Sequence, residues 1–181
     1  MKRKATMSWI QTYSGKLIYP LKLTDDQVDI VDIAHALANL CRFNGHCRKF
    51  YSVAEHCLRV CALLPDDLQL WGLLHDAAEA YTGDIIDPIK RRLELDKLPY
   101  FVYEDEIMVV IARRFGLVLP CPLVVNHVDK ILLATETRDL MKRPSNPSES
   151  LPAPLVDKLC EILSSELAEQ AFLKRFEELT S

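Results

Sequence analysis

Apolar side chains in this chain recur every three or four positions, and that period belongs to helices. Residues 29–41 carry Val31, Ala34, Ala38 and Cys41 at this spacing. Only five glycines occur in 181 residues, so few interruptions are built in. Ser52-Val53-Ala54-Glu55 has the form of a capping box, which starts a helix that runs to about Leu64 with Val53, Cys57, Val60 and Leu64 on one face. Pro65-Asp66-Asp67 opens another, predicted to continue through Leu70, Leu74, Ala77 and Tyr81 until Thr82-Gly83-Asp84 breaks it. A helix is predicted over 100–115 and closed by Gly116. A further one covers 124–141, residues 144–154 form a Pro- and Ser-rich loop, and a final amphipathic helix covers 155–179.

Before these helices, β-branched and aromatic residues flank Ser14-Gly15, which signals a short hairpin ended by Pro20. Residues 42–48 read as a polar loop. The fold class is therefore all-α, a helical bundle with a short N-terminal β-hairpin. Without internal repeats, and with domains commonly spanning roughly 100–200 residues, residues 1–181 are expected to form one domain.

Charge narrows the partners. Lys plus Arg is 22 and Asp plus Glu is 26, a net charge of −4. Such a chain is not expected to bind nucleic-acid polymers or membrane surfaces through its overall field. No apolar run approaches the ~20 residues of a membrane span. The basic opening, Met1 to Met7, lacks the apolar region of a secretory signal. The six cysteines (Cys41, Cys47, Cys57, Cys61, Cys121 and Cys160) include no C-x-x-C pair. They read as reduced thiols of a cytoplasmic protein rather than a disulfide framework or zinc finger.

Several ionisable residues fall where helices turn toward a core. His56 lies between Val53 and Val60, His75-Asp76 follow Leu73-Leu74, Glu79 lies one turn after His75, and Asp129 is flanked by Val125 and Leu132. A carboxylate on an apolar flank needs a partner. Taken singly, His56 reads as a core histidine, and Asp129 could pair with Lys130 or Arg138. Taken together, two imidazoles and two carboxylates can meet around one divalent ion, and such nitrogen and oxygen donors suit Mn, Co, Zn, Mg or Fe.

The ordered set His56, His75-Asp76, Asp129 resembles the H…HD…D signature of HD-domain phosphohydrolases. Residues 74–85, Leu-His-Asp-Ala-Ala-Glu-Ala-Tyr-Thr-Gly-Asp-Ile, with Pro88 and Lys90, are similar to the YfbR-like 5′-deoxynucleotidases and to small phage and prophage HD hydrolases. The likeness extends from about Trp9 to Leu140. It implies an HD-type helical bundle with His56, His75, Asp76 and Asp129 as metal ligands. It also implies that Glu79 handles the proton of the attacking water and that Asp84 sits near the reacting phosphate or sugar. Arg42 matches a phosphate clamp, Phe43 an aromatic residue near sugar or base, and Lys90 a phosphate-contacting lysine. His46 is a further candidate for substrate binding. Relatives often carry lysine three residues before the last metal aspartate; here Asn126 stands there, followed by His127.

The resemblance implies a cytoplasmic, metal-dependent enzyme of nucleotide metabolism. Its expected reaction turns a deoxynucleoside 5′-monophosphate into deoxynucleoside and phosphate. Hydrolysis of a deoxynucleoside triphosphate is the alternative, and a non-catalytic regulator that binds metal or nucleotide is a third reading. Relatives are often homo-oligomers, and self-association through residues 155–179 is expected on that basis.

Overall fold

Thr12 to Lys16 turns the chain back on itself in the computed structural model, which describes residues 9–95, 97–142, 151–159 and 161–181. The turn is closed by Thr12 N–H donating to Lys16 O at 2.9 Å and Gly15 N–H to Thr12 O at 3.0 Å, with Gly15 at φ +88°. It joins β1 (Ile10–Gln11) to β2 (Leu17–Ile18), antiparallel with Ile10 opposite Ile18. The predicted hairpin is thus present, with a turn wider than Ser14-Gly15. Ser14 pins it to the first helix, donating to the buried Asp32 from its N–H at 2.6 Å and its hydroxyl at 2.8 Å.

That helix, α1 (Ile30–Asn39), is capped by Asp29, whose carboxylate accepts from Val31 N–H at 3.0 Å. Ile33, Ala34, Leu37 and Ala38 are buried, whereas Val31, expected on the inner face, is exposed. α2 (Val53–Leu63) buries the predicted Val53, Cys57, Val60 and Leu64. Only half of its capping box forms. Ser52 Oγ accepts from Glu55 N–H, but the Glu55 carboxylate turns away to Arg59 at 2.6 Å and to the N–H of Leu163 at 3.0 Å.

The helix predicted to continue from residue 65 to Tyr81 opens as a 3-10 turn over Asp66–Leu68 and then forms two α-helical pieces, α3 (Gln69–Leu74) and α4 (Glu79–Thr82). Between them the backbone tightens to i→i−3 bonds: Ala77 N–H to Leu74 O at 3.0 Å and Glu79 N–H to Asp76 O at 2.9 Å. The cause is local. The ring of His75 takes the carbonyl of Gly72, with Nδ1 2.8 Å from the oxygen, and so competes with the helical ladder. Gly72 also lets α3 lie against α2, because a Cβ there would stand 2.9 Å from Cys61 Cα. After the one-turn α5 (Asp87–Lys90), β3 (Glu94–Leu95) and β4 (Leu98–Pro99) make a hairpin that the sequence does not announce.

α6 (Tyr100–Phe115) ends at left-handed Gly116, as predicted, and α7 (Leu123–Leu140) lies one residue earlier than expected at each end. One apolar cluster joins α1, α2 and α3 through Ile33, Leu37, Val53 and Leu74 to Phe172 of α8 (Ser165–Thr180). A second joins Val60 and Trp71 to Val125 and Leu132 of α7.

The predicted helix over 155–179 begins only at Ser165, capped by Ser164. The described residues between 151 and 164 are not helical, because side chains of other helices occupy their backbone groups. Leu155 N–H donates to Thr135 Oγ1 at 2.9 Å, Leu159 N–H to Asp139 at 2.9 Å and Leu163 N–H to Glu55 at 3.0 Å. Arg138 donates to the carbonyls of Leu155 and Asp157. Leu155, Leu159, Leu163, Phe172 and Phe176 pack inside this same chain, whereas Val156 and Leu167 of the same segment are exposed. The basic residues 1–7, Cys160 and most of the predicted 144–154 loop lie outside the described residues. The five described cysteines are free, and among the described residues no helix is long and apolar enough to cross a membrane.

Candidate metal and phosphate site

Ser52 starts α2 so that His56, one turn in, faces α7 and is fully buried. Its Nδ1 lies 2.7 Å from Glu136 Oε1. Burial would raise the Glu136 carboxyl, but His56, Arg42 and Tyr51 outweigh it and hold it below the usual range, so the carboxylate accepts and Nδ1 carries the proton. His75 is assigned the same way. Its Nδ1 faces the Gly72 carbonyl, which can only accept. Both rings therefore turn Nε2 to each other's neighbourhood, with ring centroids 5.2 Å apart.

Two aspartates meet those nitrogens. His56 Nε2 lies 3.1 Å from Asp129 Oδ1 and 3.7 Å from Asp76 Oδ2, and His75 Nε2 lies 3.3 Å from Asp76 Oδ2. Donor atoms of His56, His75 and Asp129 all fall within 4.8 Å of one another. Both Nε2 atoms are buried without completing a hydrogen bond. Donors ~2.1 Å from one ion stand about 3.0–3.4 Å apart; the His56–Asp129 and His75–Asp76 spacings fall in that range, and the 3.7 Å from His56 to Asp76 lies just outside it. The orphaned nitrogens with fixed tautomers are the arrangement a metal-binding histidine needs.

Burial and Arg42 push His56 down, yet Glu136 and Asp129 raise it above its ordinary value. Burial likewise opposes charge on His75, but Asp76 raises it well above normal. Asp76 and Asp129 are resisted by burial and still held low, Asp76 mainly by His75 and Asp129 mainly by His56.

Arg42 projects from a one-turn 3-10 segment, Arg42–Gly45, in which Phe43 and Asn44 take left-handed φ of 55° and 50°. Its N–H donates to Tyr51 O at 2.9 Å, which ties the turn to the start of α2. Nε donates to Glu136 Oε2 at 3.2 Å, and Nη1 lies 3.6 Å from Asp76 Oδ2. The guanidinium also sits over the Phe43 ring, 5.6 Å from its centroid.

Glu79, 7% exposed, has Oε1 3.6 Å from Lys90 Nζ and Oε2 buried with no hydrogen-bond partner. Burial first, then the charges of Asp76 and Asp84, lift its carboxyl well above the ordinary value. Lys90 lies 3.0 Å from Glu104 as well. Asp84 is raised chiefly by burial, against the pull of Arg42, so it shares the electrostatic environment of the cluster.

The structure thus gathers His56, His75, Asp76, Asp129, Arg42, Phe43, Glu79, Lys90 and Asp84 into one region. His46 does not join them: it is exposed, its backbone N–H closes the turn onto Phe43 O at 3.0 Å, and among the described residues no hydrogen bond or ion pair links its ring to the site. Asn126 and His127 are exposed on α7.

Sequence reasoning missed Glu136, Tyr51, Glu104 and Cys57. Glu136 stands seven residues after Asp129 on α7, two turns along one face, and that spacing is the signal that could have found it. Tyr51 donates its hydroxyl to Glu136 Oε1 at 2.8 Å. The Cys57 thiol groups with His75 and Asp76, and burial lifts it to about 11, which keeps it uncharged at neutral pH.

No protein-family model matches the chain. The uncharacterized protein YfdR of Escherichia coli (strain K12) is 44% identical over 134 residues, which cover 74% of this chain and 73% of YfdR. An uncharacterized protein of Rhodobacter capsulatus is 36% identical over 127 residues, 64% of this chain and 63% of that protein.

Proposed function

The chain belongs to the family of the uncharacterized protein YfdR, and we propose that it is a metal-dependent phosphohydrolase of the HD type acting on a deoxynucleoside 5′-monophosphate. The observation that carries this reading is the pair of buried, unbonded Nε2 atoms of His56 and His75 facing Asp76 and Asp129, with a guanidinium beside them. These four residues would hold one divalent ion. When bound, such an ion supplies charge to a phosphate oxygen and acidifies a water.

The remaining work falls to the chain's own groups. Arg42 keeps its Nε on Glu136 and has Nη donors for phosphate oxygens, where a planar guanidinium binds with two parallel bonds. Glu79 has one oxygen near Lys90 and the other buried without a partner, and a carboxyl raised above its ordinary value by burial and by Asp76 and Asp84 suits taking up and returning a proton. Asp84 orients water, protonates the leaving oxygen or meets a sugar hydroxyl. Phe43 offers an aromatic face for sugar or base.

Lys90 bears on the length of the phosphate chain. Its ammonium already has Glu79 and Glu104 within 3.6 and 3.0 Å. A lysine so compensated positions Glu79 more readily than it gathers a triphosphate, which favours the monophosphate. The test is a screen of deoxy- and ribonucleoside mono- and triphosphates with Mn²⁺ or Co²⁺, products identified by HPLC, with Asp76→Ala as control. Deoxynucleoside plus phosphate is expected. Nucleoside plus triphosphate would move the assignment to a triphosphohydrolase. No product from protein that has bound metal would leave the non-catalytic reading.

A further inference from the structure

We propose that Glu136 is a positioning residue that ties cation loading at His56 to phosphate binding at Arg42. The inference rests on the site reading above and adds a residue that reading does not require. Glu136 is fully buried, yet its carboxylate has three donors on it. Oε1 accepts from Tyr51 Oη at 2.8 Å and from His56 Nδ1 at 2.7 Å, and Oε2 accepts from Arg42 Nε at 3.2 Å. One oxygen thus serves the metal-ligand side and the other the phosphate side.

Helix α7 makes the grip two-ended. Seven residues rise ~10.5 Å along one helix face. Asp129 therefore meets His56 at Nε2, at 3.1 Å, while Glu136 meets the same ring at Nδ1. The imidazole can neither flip nor exchange its proton to Nε2 without breaking the Glu136 bond. On the other side, the bond to Nε fixes the plane of the guanidinium and so the direction of its terminal nitrogens. Burying a carboxylate is costly unless its acceptor sites are filled. Neutralising Arg42 alone would not need the carboxylate at the bottom of α7's inner face, where it also reaches His56 and Tyr51.

The arrangement makes a sharp statement about substitution. In Glu136→Gln only one acceptor oxygen remains, and the amide nitrogen must face a donor, whether Arg42 Nε–H or the pair from Tyr51 and His56. Glu136→Asp keeps the charge but shortens the reach by one methylene. The readouts are Co²⁺ binding to chelator-stripped full-length protein, followed by its visible absorption bands, and inorganic phosphate binding to the Co²⁺-loaded protein by calorimetry. Both variants are expected to bind Co²⁺ ~10–100-fold more weakly, with shifted absorption bands, and to lose phosphate affinity as well. Thermal unfolding identifies which variant is folded; should Glu136→Gln fail, Glu136→Asp carries the test alone. A folded variant with unchanged Co²⁺ affinity and spectrum, or with only one of the two affinities altered, would overturn the coupling. Wild-type protein that binds Co²⁺ and phosphate but cleaves no nucleotide would defeat the proposed reaction and leave this inference standing.

Discussion

His56 and Lys90 both lie against carboxylates, yet they are held in different ways. His56 projects from the first turn of α2, an eleven-residue helix, and meets an eighteen-residue helix at both ring nitrogens. The ring itself is fully buried, and Glu136 holds its proton on Nδ1. Lys90 ends a four-residue helix, and its partner Glu79 begins another of four residues. The ion pair is longer, Lys90 is part-exposed, and Glu79 has an oxygen left without a partner. The inner half of the site is over-determined by long elements, whereas the outer half depends on short turns. An arrangement of this kind suits rigid ion binding next to groups whose protons must move.

Breaking the inner half should have the largest effect. His56→Ala leaves Glu136 and Asp129 without their shared partner, so it is expected to destabilise the fold by ~3–5 kcal/mol as well as abolish metal binding. Urea unfolding and elemental analysis check both. If metal is lost with stability unchanged, the inner half is less tightly tied to the fold than its geometry implies.

The outer half should respond in rate alone. Glu79→Gln is expected to lower kcat by ~10²–10⁴-fold while metal content is retained. Its unfolding midpoint should hold or rise, because burial, Asp76 and Asp84 all disfavour the charged form that the amide cannot adopt. Loss of metal in this variant would erase the contrast between the halves.

The smallest effect is a pH dependence of the chelated protein. Burial disfavours charge on His56 and His75, but their carboxylate neighbours raise both above the ordinary 6.5. Folding then takes up protons above that value. The stability these pairs contribute is full below about 6.5 and is lost as pH rises through the folded-state values. Thermal midpoints measured in chelator should fall from about pH 6 to about pH 9. A flat profile would mean that the two imidazoles are neutral before any cation arrives.

Much of this site is legible in the sequence, for a physical reason. His56, His75, Asp76 and Asp129 are costly residues on otherwise apolar helical flanks, which makes them stand out. Glu136 is equally costly, but α7 has polar residues on several sides and a glutamate there reads as surface. The break at His75 is invisible to spacing, since Leu73, Leu74, Ala77 and Ala78 are good helix formers, and the ring's bond to Gly72 O at the break is a side-chain detail that spacing does not encode. Leu155 and Leu159 likewise repeat at helical spacing, while Thr135, Asp139 and Arg138 hold their backbone in another shape.

Gly72 brings these threads to one atom-sized gap. A methyl at this position would press Leu64 Cδ1 at 2.5 Å and the main chain of Cys61 at 2.9 Å. Cys61 belongs to the helix that bears His56, and the Gly72 carbonyl steadies His75. The bare α-carbon therefore acts as a spacer of zero thickness between the two imidazole-bearing segments. Any larger residue would act as a shim, widening the interval between the nitrogens while touching neither.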